Sequence, residues 1–119
     1  MLNIVSIGGR PTADPQMHVT NGGTPYATFR LANPSGRPKA NFITVECWGK
    51  LVSTALSRVQ KGVVVLVTGE IRHREWNDEH GKRHERVTVK AHALYSFDRS
   101  AVPDDLAALI EDQHDDLAA

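Results

Sequence analysis

Hydrophobic and polar positions alternate over most of the chain and fall at helical spacing in one stretch. "PYATFRLAN" (25–33) sets Ala27, Phe29 and Leu31 against Tyr26, Thr28 and Arg30. "NFITVECWG" (41–49) sets Ile43, Val45 and Cys47 against Phe42, Thr44, Glu46 and Trp48. "HERVTVKAHALYSF" (84–97) sets Val87, Val89 and Ala91 against Arg86, Thr88 and Lys90. A period of two predicts strands with one face in a core. "LNIVSIGG" (2–9) is apolar on both faces until Ser6, and residues 63–76 open with "VVVLVTGE"; both predict strands. A further short strand around Met17–Thr20 is expected inside the turn-rich segment 10–25.

The period changes in "KLVSTALSRVQKG" (50–62), where Leu51, Val52, Ala55, Leu56 and Val59 form one helical stripe. Lys61 followed by Gly62 predicts the helix stop. "NDEHGK" (77–82) predicts a polar hairpin tip. Three strands, one helix and two strands fit an all-β fold: a five-stranded barrel of the oligonucleotide-binding (OB) type, with one α-helix between strands 3 and 4. A split α+β sandwich is the competing arrangement.

Composition narrows the class. The 119 residues suffice for one domain, expected over 1–100, with an acidic tail over 101–119. No apolar run is long enough to span a bilayer, and "MLNIVSIGG" does not read as a secretory signal. The single cysteine, Cys47, precludes an internal disulfide and fits a reducing cytoplasm. The zero net charge is a cancellation. Residues 1–100 hold 14 Lys and Arg against 8 Asp and Glu, while 101–119 hold 6 acidic residues and no Lys or Arg. A basic body points to a polyanionic partner, against the plainer reading of an ordinary surface with a solvated tail.

The candidate chemistry lies in "IRHREW" (71–76). Alternation places Arg72, Arg74 and Trp76 on one strand face and Ile71, His73 and Glu75 on the other. Phe42 and Trp48 likewise fall on the side of their strand away from Ile43, Val45 and Cys47. Exposed aromatics invite a flat ligand: bases stack on any π-face while neighbouring cations track phosphates. The competing reading buries these rings under a loop or at a subunit contact. Glu46 and Glu70 share these faces and interrupt a uniformly basic path.

The sequence resembles the bacterial single-stranded DNA-binding protein family. The resemblance rests on "GGRPTADPQMHVTNGGTPYATFRLA", "FITVECWGKLVSTAL", "VQKGVVVLVTGEIRHREW" and "GKRHERVTVKA", in order, over about residues 2–97. It implies an OB barrel, a homotetramer and a role in DNA replication, repair or recombination. By motif position it implies base stacking on Phe42, Trp48 and Trp76, with Arg72, Arg74, Lys50 and Lys61 near the DNA path. Strand alternation adds Arg30 to this set. Two segments depart from the family. "NPSGRPKA" is short and carries no aromatic, and the tail ends "DDLAA" where members that recruit replication or repair proteins close on Pro and Phe. These departures suggest a secondary paralogue or a shortened form. The tail could also compete with DNA for the basic face. An OB domain that prefers RNA or serves as a replication accessory, and a protein-interaction module, are the alternatives.

No cofactor, metal or catalytic role is expected. His73, His80, His84 and His92 lack paired ligand spacing, and Cys47 points coreward. No G-x-S-x-G is present, and "WGKL" holds only the Gly-Lys of a phosphate loop.

Overall fold

The computed structural model describes residues 1–36 and 38–97. The expectations for the acidic tail lie outside the described residues. In chain order the elements are β1 (Val5–Pro11), β2 (Gln16–Val19), β3 (Pro25–Asn33), β4 (Asn41–Trp48), α1 (Lys50–Arg58), β5 (Val64–Asn77) and β6 (Arg83–Phe97). The sheet runs β1-β5-β6-β4-β3-β2, and β1 also pairs with β3 through Arg10↔Ala32 and Pro11↔Leu31. That extra pairing closes β1, β5, β6, β4 and β3 into a five-stranded ring. All pairings are antiparallel except β4–β6, which joins Thr44–Glu46 to Thr88–Lys90 in parallel. This is the expected OB barrel, with β2 added outside β3.

The inward faces are those the alternation gives, except in β6, where Val87 is 48% exposed on the hairpin beyond the barrel and Thr88 is buried with its hydroxyl on Glu46. Ala27, Phe29, Leu31, Val45, Cys47, Val65, Val67, Val89 and Ala91 are buried and form one cluster. Each large aliphatic or aromatic member contributes about 1.5–3 kcal/mol by leaving water. Helix α1 adds Ala55 to this cluster and Val59 joins it just past the helix end, with Leu51 and Val52 packed beside them. Leu56, expected on the same stripe, is 48% exposed.

The helix also ends earlier than expected. Val59 is already extended, at φ −94° and ψ 128°. Its side chain is buried, so core packing draws it out of the helical path. Gly62 does take positive φ, 82°, but in a separate turn closed by the Val63 N–H donating to the Gln60 carbonyl. The Lys61 N–H donates to Asp14 Oδ1 at 2.9 Å, and Gly62 donates to the Pro11 carbonyl. The Lys-Gly pair thus docks the end of the helix segment onto β1.

Gly69 bends the wall. Thr68 pairs with Ala93 but Gly69 with Ala91, so His92 is an extra residue in β6. A Cβ at Gly69 would lie 2.1 Å from the Lys90 carbonyl oxygen. The bulge turns β5 and β6 sharply, which lets one strand pair serve two sides of a small barrel. Beyond it the two strands extend as a hairpin with Trp76 near its tip.

β1 starts at Val5, not Leu2. Asn3 continues the pairing with its side chain: Nδ2 donates to the Ile71 carbonyl and Oδ1 accepts from the Ile71 N–H, at 2.9 and 2.8 Å. Over Val5–Gly9 the strand pairs with β5 on one side only among the described residues. The other edge of β1 is therefore open there among the described residues.

Candidate nucleic-acid interface

Strand register assembles one outer surface from four strands. Tyr26 pairs with Trp48, Arg30 with Thr44 and Ala32 with Phe42. Arg72 pairs with Thr88, Arg74 with Arg86 and Trp76 with His84. The Thr44↔Thr88 pairing joins the two sets. Paired residues point to the same side, so the aromatic and basic residues named from alternation share one wall.

The three rings are presented differently. Phe42 is 48% exposed, and the Arg30 guanidinium lies 4.2 Å from its centroid. Trp76 is 44% exposed, with His84 stacked beside it at 5.4 Å and the Arg86 guanidinium 5.7 Å from its ring. The His84 Nε2–H donates to Asp78 Oδ2 at 2.8 Å, and Asp78 Oδ1 accepts from the His80 and Lys82 N–H groups. The hairpin turn therefore braces the ring that braces Trp76. Trp48 is only half-exposed, because Tyr26 covers one face at 4.4 Å and His18 stacks on Tyr26 at 5.0 Å. This column of three rings leaves Trp48 a single face for a ligand.

At the N–H edge of the Trp48 indole lies a buried carboxylate. Glu46, 5% exposed, accepts from the Trp48 indole N–H at 3.0 Å and from Thr88 Oγ1 at 2.8 Å. It also accepts from Arg74 Nε and Nη2 at 2.8 and 2.5 Å. Burial alone would raise its pKa. Hydrogen bonds from Arg74, Trp48 and Thr88, with the Arg74 charge, outweigh burial and hold it at about 2. A forked arginine–carboxylate pair is strong and directional. Glu46 is buried but the Arg74 side chain is 36% exposed, so solvent screens part of the attraction, and the main cost of removing Arg74 is an uncompensated Glu46 charge. Arg74 thus reaches the expected surface with its charge already committed.

Three grooves run along this wall. The first, about 480 Å³, is lined by Tyr26, Trp48, Arg74, Trp76 and Arg86 among others. The second, about 280 Å³, has Asp14, Gln16, Arg30 and Arg86 in its walls. A third, about 370 Å³, is formed by Arg30, Phe42, Ile43, Thr44, Arg86 and Val87. Phe42, Trp48, Trp76, Arg30 and Arg74 are therefore brought together. Arg72, Lys50 and Lys61 line none of the three: Arg72 is on the same face beside Thr88, Lys50 opens α1 directly after Trp48-Gly49, and Lys61 is in the turn against Asp14. Alternation sets Tyr26 and Arg86 outward, but nothing in the sequence gives Tyr26, His18, His84 or Arg86 a place at this site. Only the cross-strand pairing reveals them.

For a metal, His73, Glu75 and Glu85 bring donor atoms within 4.8 Å of one another on the exposed opposite face of the hairpin. They are engaged with each other and with Arg83: His73 meets Glu85 at 3.0 Å and Glu75 at 3.7 Å, and Arg83 pairs with Glu75. Cys47 is buried, and burial followed by the nearby Glu46 charge pushes its thiol up to about 12. No described helix is long and apolar enough to cross a membrane.

The Single-strand binding protein family matches residues 2–97. A single-stranded DNA-binding protein of Caldanaerobacter subterraneus subsp. tengcongensis is 40% identical over 90 residues, covering 71% of this chain and 60% of that protein. One of Aquifex aeolicus is 34% identical over 107 residues, covering 83% and 72%. Single-stranded DNA-binding protein A of Bacillus subtilis is 32% identical over 100 residues, covering 79% and 58%. The alignments with the first relatives span 44–60% of those proteins' length.

Proposed function

We propose, from the premise that this chain belongs to the Single-strand binding protein family, that it binds single-stranded DNA without sequence preference. The observation that carries this reading is the convergence of Phe42, Trp48 and Trp76 on one grooved, basic wall. Bases would stack on the two exposed rings and on the free face of Trp48, each worth about 1–3 kcal/mol. Arg30, Arg72, Lys50 and Lys61 would neutralise phosphates along and beside the wall, releasing counterions. The function is binding, without catalysis, in replication, repair or recombination in the cytoplasm.

Assembly into a homotetramer is part of this proposal. Ile4, Leu66 and Tyr95 are 71%, 37% and 52% exposed, and Leu66 and Tyr95 pair across β5 and β6. Together with the open β1 edge, this apolar surface favours association. The acidic segment 101–119 is proposed to offer replication or repair proteins a charged docking segment.

Titrating tryptophan emission with oligothymidylate, an RNA oligomer and duplex DNA at two salt concentrations tests the reading. Quenching by the single strand that weakens steeply with salt is expected. Unchanged emission, or equal affinity for duplex, would overturn it. Tighter binding of RNA would point to an RNA-directed OB domain instead.

A further inference from the structure

We infer that Glu46 divides the work of the two central arginines: it holds Arg74 as a positioning residue and leaves Arg86 as the cation that meets phosphate. The inference rests on the single-stranded DNA reading above.

Arg74 and Arg86 are cross-strand partners, so two like charges stand side by side. Such a pair is unfavourable unless one charge is neutralised. Glu46 neutralises one, and its own geometry selects which. Both its oxygens are occupied by the Arg74 fork, and the same oxygens accept the Trp48 indole and the Thr88 hydroxyl. Drawing Arg74 outward to a phosphate would leave Glu46 a buried anion held only by the neutral donors of Trp48 and Thr88. Arg74 therefore stays in place when a ligand arrives.

Arg86 has the opposite surroundings. It is exposed, meets no carboxylate among the described residues, and lines all three grooves. Its one described side-chain partner is the Trp76 ring at 5.7 Å. A guanidinium beside a stacking ring can grip the phosphate next to a base stacked on that ring. Arg86 stands between the Trp76 and Phe42 ends of the wall, where a strand crossing from one ring to the other must pass.

Salt dependence separates the two roles. Each phosphate neutralised on a single strand contributes about 0.7 to the slope of log K against log salt. Anisotropy of a labelled oligothymidylate, measured on the full chain over a salt series, gives that slope. Arg86→Ala should make it shallower by about 0.7. The double substitution Glu46→Gln with Arg74→Gln, which keeps an uncharged acceptor–donor pair, should leave the slope unchanged. In a Trp76→Phe background it should also shift the emission of Trp48. Should the double variant fail to fold, Glu46→Gln alone serves: it frees Arg74 and should steepen the slope by about 0.7. A steep slope retained by Arg86→Ala, or a slope that falls in the double variant, overturns the inference while the DNA reading stands. A wild-type chain that ignores the oligonucleotide overturns both.

Discussion

Tyr26 lies face to face with Trp48, centroids 4.4 Å apart and planes 11° apart, so the indole reaches solvent from one side only. Aromatic pairs of this kind contribute about 0.5–1.5 kcal/mol beyond their buried area. The pair fixes the plane on which a base would lie. Tyr26→Ala should therefore broaden and red-shift Trp48 emission and weaken oligothymidylate binding, while Tyr26→Phe should preserve both. Fluorescence of the two variants in a Trp76→Phe background checks this.

Trp76 and Phe42 are the rings most open to solvent on the wall, and the barrel core does not depend on them. Each single substitution to Ala should cost about 1–3 kcal/mol of single-strand affinity with little change in thermal stability. A titration paired with a melting curve separates the two effects.

Glu46 links stability to acid. Its carboxyl has a pKa of about 2 in the folded chain against 4.5 as the ordinary value. The unfolded chain thus binds the proton more readily, and its contribution is complete above about pH 4.5 and lost as pH falls toward 2. The lost amount is about 3 kcal/mol. Urea unfolding across this window should show that slope in the wild type and a flatter one in Glu46→Gln.

Gly69 tolerates no side chain. A methyl group would meet the Lys90 carbonyl at 2.1 Å, a backbone atom that cannot swing aside. Gly69→Ala should destabilise the barrel by at least about 1–3 kcal/mol, read as a lowered Tm.

Cys47 should be silent in the native protein. It is fully buried and its thiol is held near 12, so little thiolate forms. A thiol reagent at mildly alkaline pH should label it only after denaturant is added.

The sequence by itself determined the barrel's inward faces and the side on which Phe42, Trp48 and Trp76 lie. Period-two alternation depends only on how successive side chains leave the strand. Where the helix stops was decided by packing: Val59 leaves the helix for the core, three residues before Gly62. Tertiary structure alone decided which outward residues are neighbours. The pairing of Tyr26 with Trp48 and of Arg74 with Arg86 depends on register, and the Glu46–Arg74 fork joins residues 28 apart in sequence. Spacing along one strand reports the face of a side chain. Its partner, and hence whether its charge is free, is set by where another strand lies after the barrel has closed.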